Sequence, residues 1–427
     1  MKNSIFFIVL ILFLSGCTQN RQHWNQYLGP NRNASVQDTK ISQEKIEAGP
    51  ELVWEFPLGP GYGGASMFGE EVFVLDRIEA EADILRCIDL NSGEEKWNYQ
   101  YEAEGKLPYP GSRTVPYVDD NFVYSVGPHG HFYCVDKQTQ KPVWFHDLRK
   151  KFDAETPHWG FSQSPLIYNN LVIIAPQGKK AGVAAFEKKT GELMWESRPL
   201  SGYNFHVSPV LGNYGGVDQV IMISPYDRKD STKTHEVVGF DVKTGEELWK
   251  YNGLKSFATI SPATVVDDRR LFLTDCSYDG GYDPVSVLLE ITKNENGFLV
   301  NEVFKTEEAG CKMHPAVFHE GNFYLNNTGR PGGLVCMNPE GELLWEEGES
   351  PNFELGGLIL VDGIIINQNG KNGDIHFIEP SPDGYRELAK VSFFDANKSQ
   401  AWAPPAFGNG KLVVRNLEKM VCIDLGN

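Results

Sequence analysis

Asp241-Val-Lys-Thr-Gly-Glu-Glu-Leu-Trp249 is one copy of a segment that recurs along this 427-residue chain. The other copies run from Asp89 to Trp97, from Asp136 to Trp144, from Glu187 to Trp195 and, one residue shorter, from Asn338 to Trp345. Six of the nine tryptophans, counting Trp54, occupy this one position. The pattern predicts a hairpin, in which an acidic or amide residue ends one strand, Thr-Gly makes a turn with positive φ, and Trp enters the next strand.

Each copy belongs to a unit of four short strands, because a second hairpin precedes it, as in Tyr117-Val-Asp-Asp-Asn-Phe-Val-Tyr-Ser-Val126. From Trp54 to Trp249 the repeated tryptophans are 43 to 54 residues apart, and Phe304 is a degenerate next member. This spacing is typical of a propeller blade. The innermost strands of eight blades are predicted to start near Ala65, Thr114, Ser164, Ser208, Ser261, His314, Gly357 and Pro404.

The two ends of the chain complete one blade together. The last unit stops at Cys422-Ile-Asp-Leu-Gly-Asn427, where a tryptophan strand should follow, and Glu51-Leu-Val-Trp54-Glu-Phe-Pro-Leu58 has the character of that strand. We therefore expect an all-β fold over residues 51–427. It is an eight-bladed β-propeller of four-stranded antiparallel blades, closed by pairing of the N- and C-terminal strands.

The N-terminus predicts export and lipidation. Lys2 precedes an apolar stretch from Ile5 to Leu14, which is too short to span a bilayer as a helix and is typical of a signal peptide. Leu14-Ser-Gly-Cys17 resembles a lipobox, so we expect a signal peptide over residues 1–16 and a lipid-bearing Cys17. Residues 17–50 are predicted to form a tether and an N-terminal segment that lies on the ring. The absence of acidic residues directly after Cys17 favours the outer membrane, facing the periplasm. The alternative is a plain secretory signal with a chance cysteine.

The composition argues against nucleic acid as a partner. The net charge is −18, from 39 Lys and Arg against 57 Asp and Glu, and such a surface repels phosphate backbones. No run of five or more like charges forms an interaction tail, so the acidity is spread over the surface. We expect a monomer.

The candidate site is an axial funnel where the inner strands begin, because propellers commonly bind ligands there. Its candidate residues are Arg113, His158, Trp159, Gln163, His206, Lys312, His314 and Trp402. The basic side chains would form a positive mouth for an anion or a quinone, and the tryptophans would provide stacking surfaces. The alternative is that these polar groups satisfy one another and bound water around a wet channel.

Other motifs favour structural roles. Gly59-Pro-Gly-Tyr-Gly-Gly64 fits GxGxxG, but a strand follows it instead of a helix N-terminus, so these glycines more plausibly shape the start of the first blade. Asp279-Gly-Gly-Tyr-Asp283 is predicted to be a solvated loop rather than a cation site, and no metal site is predicted. Four cysteines occupy the same repeat position, which is predicted to require a small buried side chain: Cys87, Cys134, Cys336 and Cys422. The sequence gives no basis for pairing Cys276 with Cys311.

The D-x-x-T-G-E-x-x-W repeat, with Ser-Pro opening several inner strands, resembles the pyrroloquinoline quinone (PQQ)-type propeller repeat. That repeat is found in quinoprotein alcohol dehydrogenases and in BamB, the propeller lipoprotein of the outer-membrane assembly machinery. The chain also resembles exported PQQ-like propeller proteins in which a W-x-x-x-x-G-P-N-R segment, here Trp24 to Arg32, precedes the ring. The vicinal cysteine pair of many of the dehydrogenases and a CxxCH haem attachment are both missing from this sequence.

The resemblance implies two functions. The first is a non-enzymatic, lipid-anchored scaffold or binding protein of the envelope, with proteins or carbohydrate as ligands. The second is a PQQ- and calcium-dependent oxidoreductase acting on alcohols or sugars, in which Arg113 and Lys312 neutralise the quinone carboxylates and Trp159 or Trp402 stacks. We favour the first, because the sequence carries no catalytic signature; a hydrolase or lyase at the same mouth is a third alternative.

Overall fold

A computed structural model describes residues 23–37, 41–200, 206–224, 235–254, 260–276, 284–329, 332–345, 348–395 and 400–426. The predicted signal peptide, Cys17 and the loop from Asp279 to Asp283 lie outside the described residues. Within the described ranges, no helix has the length and apolar character needed to cross a bilayer.

The described chain is built almost entirely of short strands. In chain order they are β1 (Ser35–Val36), β2 (Glu51–Pro57), β3 (Ser66–Phe68), β4 (Glu71–Ile78), β5 (Ala80–Asp89), β6 (Glu95–Gly105), β7 (Tyr117–Val118), β8 (Phe122–Val126), β9 (His131–Asp136), β10 (Lys141–Asp147), β11 (Leu166–Tyr168), β12 (Leu171–Ile174), β13 (Ala184–Glu187), β14 (Leu193–Glu196), β15 (Val210–Tyr214), β16 (Val217–Ser224), β17 (Glu236–Asp241), β18 (Glu247–Tyr251), β19 (Thr264–Val265), β20 (Arg270–Asp275), β21 (Val285–Asn294), β22 (Gly297–Thr306), β23 (Val317–His319), β24 (Asn322–Asn327), β25 (Gly333–Met337), β26 (Leu358–Val361), β27 (Ile364–Gln368), β28 (Ile375–Glu379), β29 (Arg386–Val391), β30 (Ala406–Gly408), β31 (Lys411–Arg415) and β32 (Lys419–Asp424). Two short helices, α1 (Gln43–Ala48) and α2 (Leu148–Phe152), accompany them.

These strands form eight antiparallel blades in a ring, as predicted. Blades one to five follow one another from β3 to β22, four strands each, and blade seven runs from β26 to β29. In blade six the fourth strand is reduced to Leu343 and Leu344, which pair with the end of β25. The innermost strands begin one to three residues after the predicted starts, because each start falls on the polar connection that leads into the strand.

The ring is closed by its two ends. β2 is the outer strand of blade eight and pairs antiparallel with β32, with Trp54 opposite Cys422. The predicted closure strand is therefore confirmed. The register shifts by one residue just before Trp54, and the same bulge precedes the tryptophans of β6, β10, β14 and β18.

In several blades the repeated aromatic residue contacts the next blade. Trp54 of blade eight donates its indole hydrogen to the Leu90 carbonyl of blade one (2.8 Å) and covers Gly93 in the same turn. Phe304, the degenerate member, covers Gly341 of blade six in the same way. The repeat is thus a packing device that fixes the angle between blades.

The six cysteines in the described part of the chain are buried thiols without disulfides: Cys87, Cys134, Cys276, Cys311, Cys336 and Cys422. Burial raises the pKa of the Cys87 and Cys134 thiols, the latter to about 12, so these groups stay protonated and apolar. The shared repeat position is a core position.

Residues 23–36 lie inside the central channel, whereas the sequence suggested a segment on the ring. The Trp24 carbonyl accepts a hydrogen bond from the Met67 amide in β3 (2.7 Å), and β1 adds a parallel fifth strand to β26. Trp24 and Leu28 are buried. The chain then runs through α1 on the outside of the ring to β2.

Candidate functional site

A cavity of about 160 Å³ lies on the axis, at the face where the inner strands begin. All eight connections into the inner strands contribute to its wall. The lining residues are Tyr27, Tyr62, Tyr109, Arg113, Trp159, Ser162, His206, Ser208, Ile260, Lys312, Met313, His314, Leu355, Trp402 and Pro404. A cavity of about 150 Å³ is large enough for one benzene ring, so this space suits a single ring.

One wall is aromatic and carries a guanidinium. The rings of Tyr62 and Trp402 stack with centroids 5.2 Å apart, and Tyr109 lies 6.1 Å from each. The Arg113 guanidinium lies over Tyr62, 5.6 Å from its centroid. Arg113 also donates to the carbonyls of Gly111 (2.5 Å) and Tyr109, which hold its side chain against this wall.

The glycine-rich segment from Gly59 to Gly64 positions Tyr62. Buried Arg415 donates to the carbonyls of Gly59 (2.9 Å) and Gly63 (3.4 Å), so the segment wraps its guanidinium. A Cβ at Gly63 would lie 2.4 Å from the Thr114 carbonyl oxygen, which leaves no room for a side chain. Strand β3 follows the segment, so no helix N-terminus faces it, in agreement with the structural interpretation of this motif.

The opposite wall pairs Trp159 with His206, whose ring centroids are 4.8 Å apart. The Lys312 ammonium lies 6.0 Å from the Trp159 centroid. His206 is 4% exposed, and its Nδ1 is 3.0 Å from the Ser162 hydroxyl oxygen. Burial, together with the Arg113 charge, lowers the pKa of His206 to about 3, so the ring is neutral. Its Nε2 has no hydrogen-bond partner among the described residues.

The floor of the cavity comes from the N-terminal segment and blade six. Tyr27 closes the channel below the cavity, and the Arg32 guanidinium lies 5.7 Å from its ring centroid. Burial raises the pKa of the Tyr27 hydroxyl, which therefore stays protonated. His314 Nε2 is 3.1 Å from the Trp402 carbonyl oxygen, and burial lowers the pKa of His314 to about 4.

The cavity is cationic although the chain is acidic. Arg113 and Lys312 line it, and no described residue of the lining is Asp or Glu. Neither cation forms an ion pair within the described part of the chain; each lies against an aromatic face instead. An unpaired cation beside an aromatic wall attracts an anion.

The structure brings six of the eight predicted residues together in the lining: Arg113, Trp159, His206, Lys312, His314 and Trp402. His158 is exposed beside Trp159, with ring centroids 6.0 Å apart, and Gln163 is buried behind the lining. The prediction missed three tyrosines of the lining: Tyr27, Tyr62 and Tyr109. Tyr27 and Tyr62 lie in two segments that the sequence had singled out, the W-x-x-x-x-G-P-N-R segment and the glycine-rich segment.

The lining does not fit a calcium-bound quinone. Calcium takes six to eight oxygen ligands, several of them from carboxylates. The described lining offers hydroxyl groups but no carboxylate, and the described chain contains no group of three His, Cys, Asp or Glu side chains that could hold a metal. The donor set therefore does not support the second function that the resemblance implied.

Eight four-stranded blades around an axial cavity define an eight-bladed β-propeller. Residues 80–278 match the family described as outer membrane protein assembly factor BamB. This match covers just under half of the chain, and the same repeat continues around the whole ring, so the chain is similar to the PQQ-like β-propeller family. No curated protein sequence matches it.

Solved structures with the same fold include BamB from Moraxella catarrhalis, with 13% identity and a TM-score of 0.60 over 88% of this chain and 99% of that chain. Quinohemoprotein alcohol dehydrogenase from Comamonas testosteroni also matches, with 13% identity and a TM-score of 0.64 over 95% of this chain and 81% of that one. A third is the computationally designed Ika8 protein, with 13% identity and a TM-score of 0.57 over 88% of this chain and all of the other. At this identity the likeness concerns the fold.

Proposed function

We propose that this protein is an exported, lipid-anchored binding protein of the bacterial envelope, and that its axial cavity binds a small ring compound bearing a carboxylate. One observation carries the ligand class: a ring-sized cavity is lined by five Tyr and Trp residues and by two cations that form no ion pair with a described residue. Its described lining has no carboxylate, although the protein has a net charge of −18. Arg113 and Lys312 would hold the carboxylate. The ring would lie against Trp159 or Trp402.

The polar groups of the cavity suit binding more than catalysis. Burial lowers the pKa of His206 to about 3 and that of His314 to about 4, so both are weak bases at pH 7. The described lining offers no carboxylate to strengthen either of them. The match to an outer membrane protein assembly factor supports placing the protein in the envelope.

Binding can be tested with pairs of compounds that differ in charge. Glucuronate against glucose tests an acidic sugar, and 4-hydroxybenzoate against 4-hydroxybenzyl alcohol tests an aromatic acid. Titration followed by tryptophan fluorescence and calorimetry should show binding of at least one acid and at least tenfold weaker binding of its neutral partner. A charge-assisted hydrogen bond contributes about 1.5–3 kcal/mol, so R113Q and K312Q should each weaken binding about 10- to 100-fold.

The control is K150Q, which removes an 86% exposed cation that does not line the cavity. R113Q removes both the charge and the hydrogen bonds to the Gly111 and Tyr109 carbonyls, whereas R113K keeps the charge and removes the guanidinium that makes those bonds. Comparing the two variants shows how much of the weakening comes from the lost charge. Equal affinity for an acid and its neutral partner, or equal weakening by K150Q, would refute the proposal.

Lipidation at Cys17 is tested in cells. Metabolic labelling with a palmitate analogue should mark the full-length protein, which should fractionate with the outer membrane. C17S should lose the label and appear in the soluble periplasmic fraction, since acyl chains are what would hold the protein. An unlabelled, soluble wild-type protein would favour the plain secretory signal.

A further inference from the structure

The N-terminal segment enters and leaves the channel at the face opposite the cavity mouth. His23 Nδ1 accepts a hydrogen bond from the backbone amide of the turn between β3 and β4 (3.1 Å). The Val36 carbonyl accepts one from the amide of the turn between β26 and β27 (3.0 Å). Between these points the segment reaches inward to Arg32, which donates to the Pro165 carbonyl near the start of β11 (2.7 Å). It therefore forms a loop that closes the channel from the turn side.

The cavity mouth and these turns must lie on opposite faces of the ring. The strands of a blade alternate in direction, so the turns after the first and third strands share one face. The connections into the inner strands lie at the other face, and these connections line the cavity.

The chain between Cys17 and the ring is short. Six residue steps separate Cys17 from His23, and a fully extended chain covers at most about 20 Å over that length. For the cavity to face the membrane, the tether would have to run from the turn face around the outside of the ring to the cavity face. It would first cross the four strands of one blade, which are spaced about 4.8 Å apart. It would then run along the length of a strand such as β4, whose eight residues span roughly 26 Å. That path is about twice the length of the tether.

We infer that the axial cavity opens away from the membrane that holds the protein. The inference depends on the proposed lipidation of Cys17. It goes beyond that proposal because it fixes which face of the ring meets the lipid. Ligands would reach the cavity from the aqueous compartment without passing between ring and membrane.

The charge of the membrane-side turns fits this arrangement. The eight turns between first and second strands contain seven carboxylates and one arginine: Glu70, Asp119, Asp120, Asp267, Asp268, Glu320 and Asp362, with Arg269. The turns between third and fourth strands on the same face add seven carboxylates and four lysines: Glu94, Glu192, Glu246, Glu295, Glu340, Glu342 and Asp383, with Lys137, Lys188, Lys189 and Lys243. The face as a whole is therefore acidic. Anionic headgroups repel such a face, and salt confines this repulsion to about 8 Å at physiological ionic strength. The tether is longer than this range. The ring therefore lies at a distance from the membrane, with the turn face still directed towards the lipid.

The test uses the full-length lipidated protein in liposomes that carry a nitroxide on the lipid headgroup. A fluorescent maleimide is attached at N121C, an exposed position in the turn between β7 and β8, or at K106C, an exposed position on the cavity side after β6. The native cysteines of the described chain are buried, so the dye reacts with the introduced thiol. These two sites lie roughly 20 Å apart along the strand direction, so quenching should be at least about twofold stronger at position 121.

Flotation of the liposomes separates this inference from the lipidation proposal. A protein that does not float with the liposomes would disprove lipidation itself, and C17S provides that reference. If the protein floats, equal quenching at the two positions, or stronger quenching at position 106, would overturn the proposed orientation.

Discussion

At the residue scale, the contact between an aromatic ring and a turn glycine ties four of the blades to their neighbours. Trp144 of blade two donates its indole hydrogen to the Lys188 carbonyl of blade three (3.1 Å). In the same turn, Gly191 has φ of +72°, and a Cβ there would lie 2.7 Å from the Trp144 ring. The backbone angle and the ring above it both require glycine at this position.

We predict that G191A destabilises the fold more than backbone strain alone explains. The matched control is G348A, because Gly348 has φ of +83° and a Cβ there would meet open space. A left-handed backbone costs a non-glycine residue about 1–2 kcal/mol, and overpacking adds about 1–3 kcal/mol. Urea denaturation should therefore show a loss of about 2–5 kcal/mol for G191A against 1–2 kcal/mol for G348A. Equal losses of unfolding free energy in the two variants would mean that the Trp144 ring moves aside without destabilising the fold.

Sequence position predicted which connections line the cavity but not which side chains face it. Arg113 and Lys312 were found because both come just before an inner strand. Tyr109 was missed because it lies further back in its connection, and its direction depends on how the loop folds over Arg113. Gln163 was included because it lies in the connection just before β11, yet its side chain is buried and does not line the cavity. The orientation of a loop side chain depends on the loop conformation, and no periodic sequence pattern predicts that conformation.

At the element scale, residues 23–36 act as an internal brace. Arg32 is 4% exposed and donates to the Pro165 carbonyl (2.7 Å), the Ser164 carbonyl (3.3 Å) and the Gln26 side chain (3.2 Å). These bonds tie the segment to blade three, whereas β1 ties it to blade seven. A single element thus connects opposite sides of the ring across the axis.

R32M is expected to lower the free energy of unfolding by about 2–4 kcal/mol, because it keeps the volume but leaves buried carbonyls without donors. R149M is the control, since Arg149 is 36% exposed and its ion pair with Asp147 lies at the surface, where such pairs contribute about 0–1 kcal/mol. Chemical denaturation of both variants gives the comparison. If R32M were as stable as R149M, the segment would not brace the ring.

The closure strand could be predicted and the brace could not, for a physical reason. Trp54 repeats a pattern that five other blades share, so β2 could be assigned by analogy within the chain. The path of the N-terminal segment depends on positive φ angles at Leu28, Arg32 and Ala34, residue types that give no such signal. Its pairing partners also lie in four different blades, far away in sequence.

At the scale of the whole molecule, buried ionisable groups make stability depend on pH. Burial lowers the pKa of His206 to about 3 and that of His314 to about 4, below the usual value near 6.5. Between about pH 4 and 6.5 the unfolded chain therefore binds protons that the folded chain does not, and stability rises with pH. Asp83 acts in the opposite direction, because burial raises its pKa to about 6 despite its ion pair with Arg77.

We therefore predict that the protein is less stable at pH 5 than at pH 7. Burial also lowers the pKa of His131 to about 4, and these three histidines outweigh one aspartate. Each buried histidine lowers the free energy of unfolding at pH 5 by up to about 2 kcal/mol relative to pH 7. H314N keeps a donor near the Trp402 carbonyl but cannot take up a proton. The difference in the free energy of unfolding between pH 5 and pH 7 should therefore be smaller in H314N by up to this amount. Urea denaturation of wild type and H314N at both pH values measures it. An unchanged difference in H314N would show that His314 does not titrate between the folded and unfolded states as its burial requires.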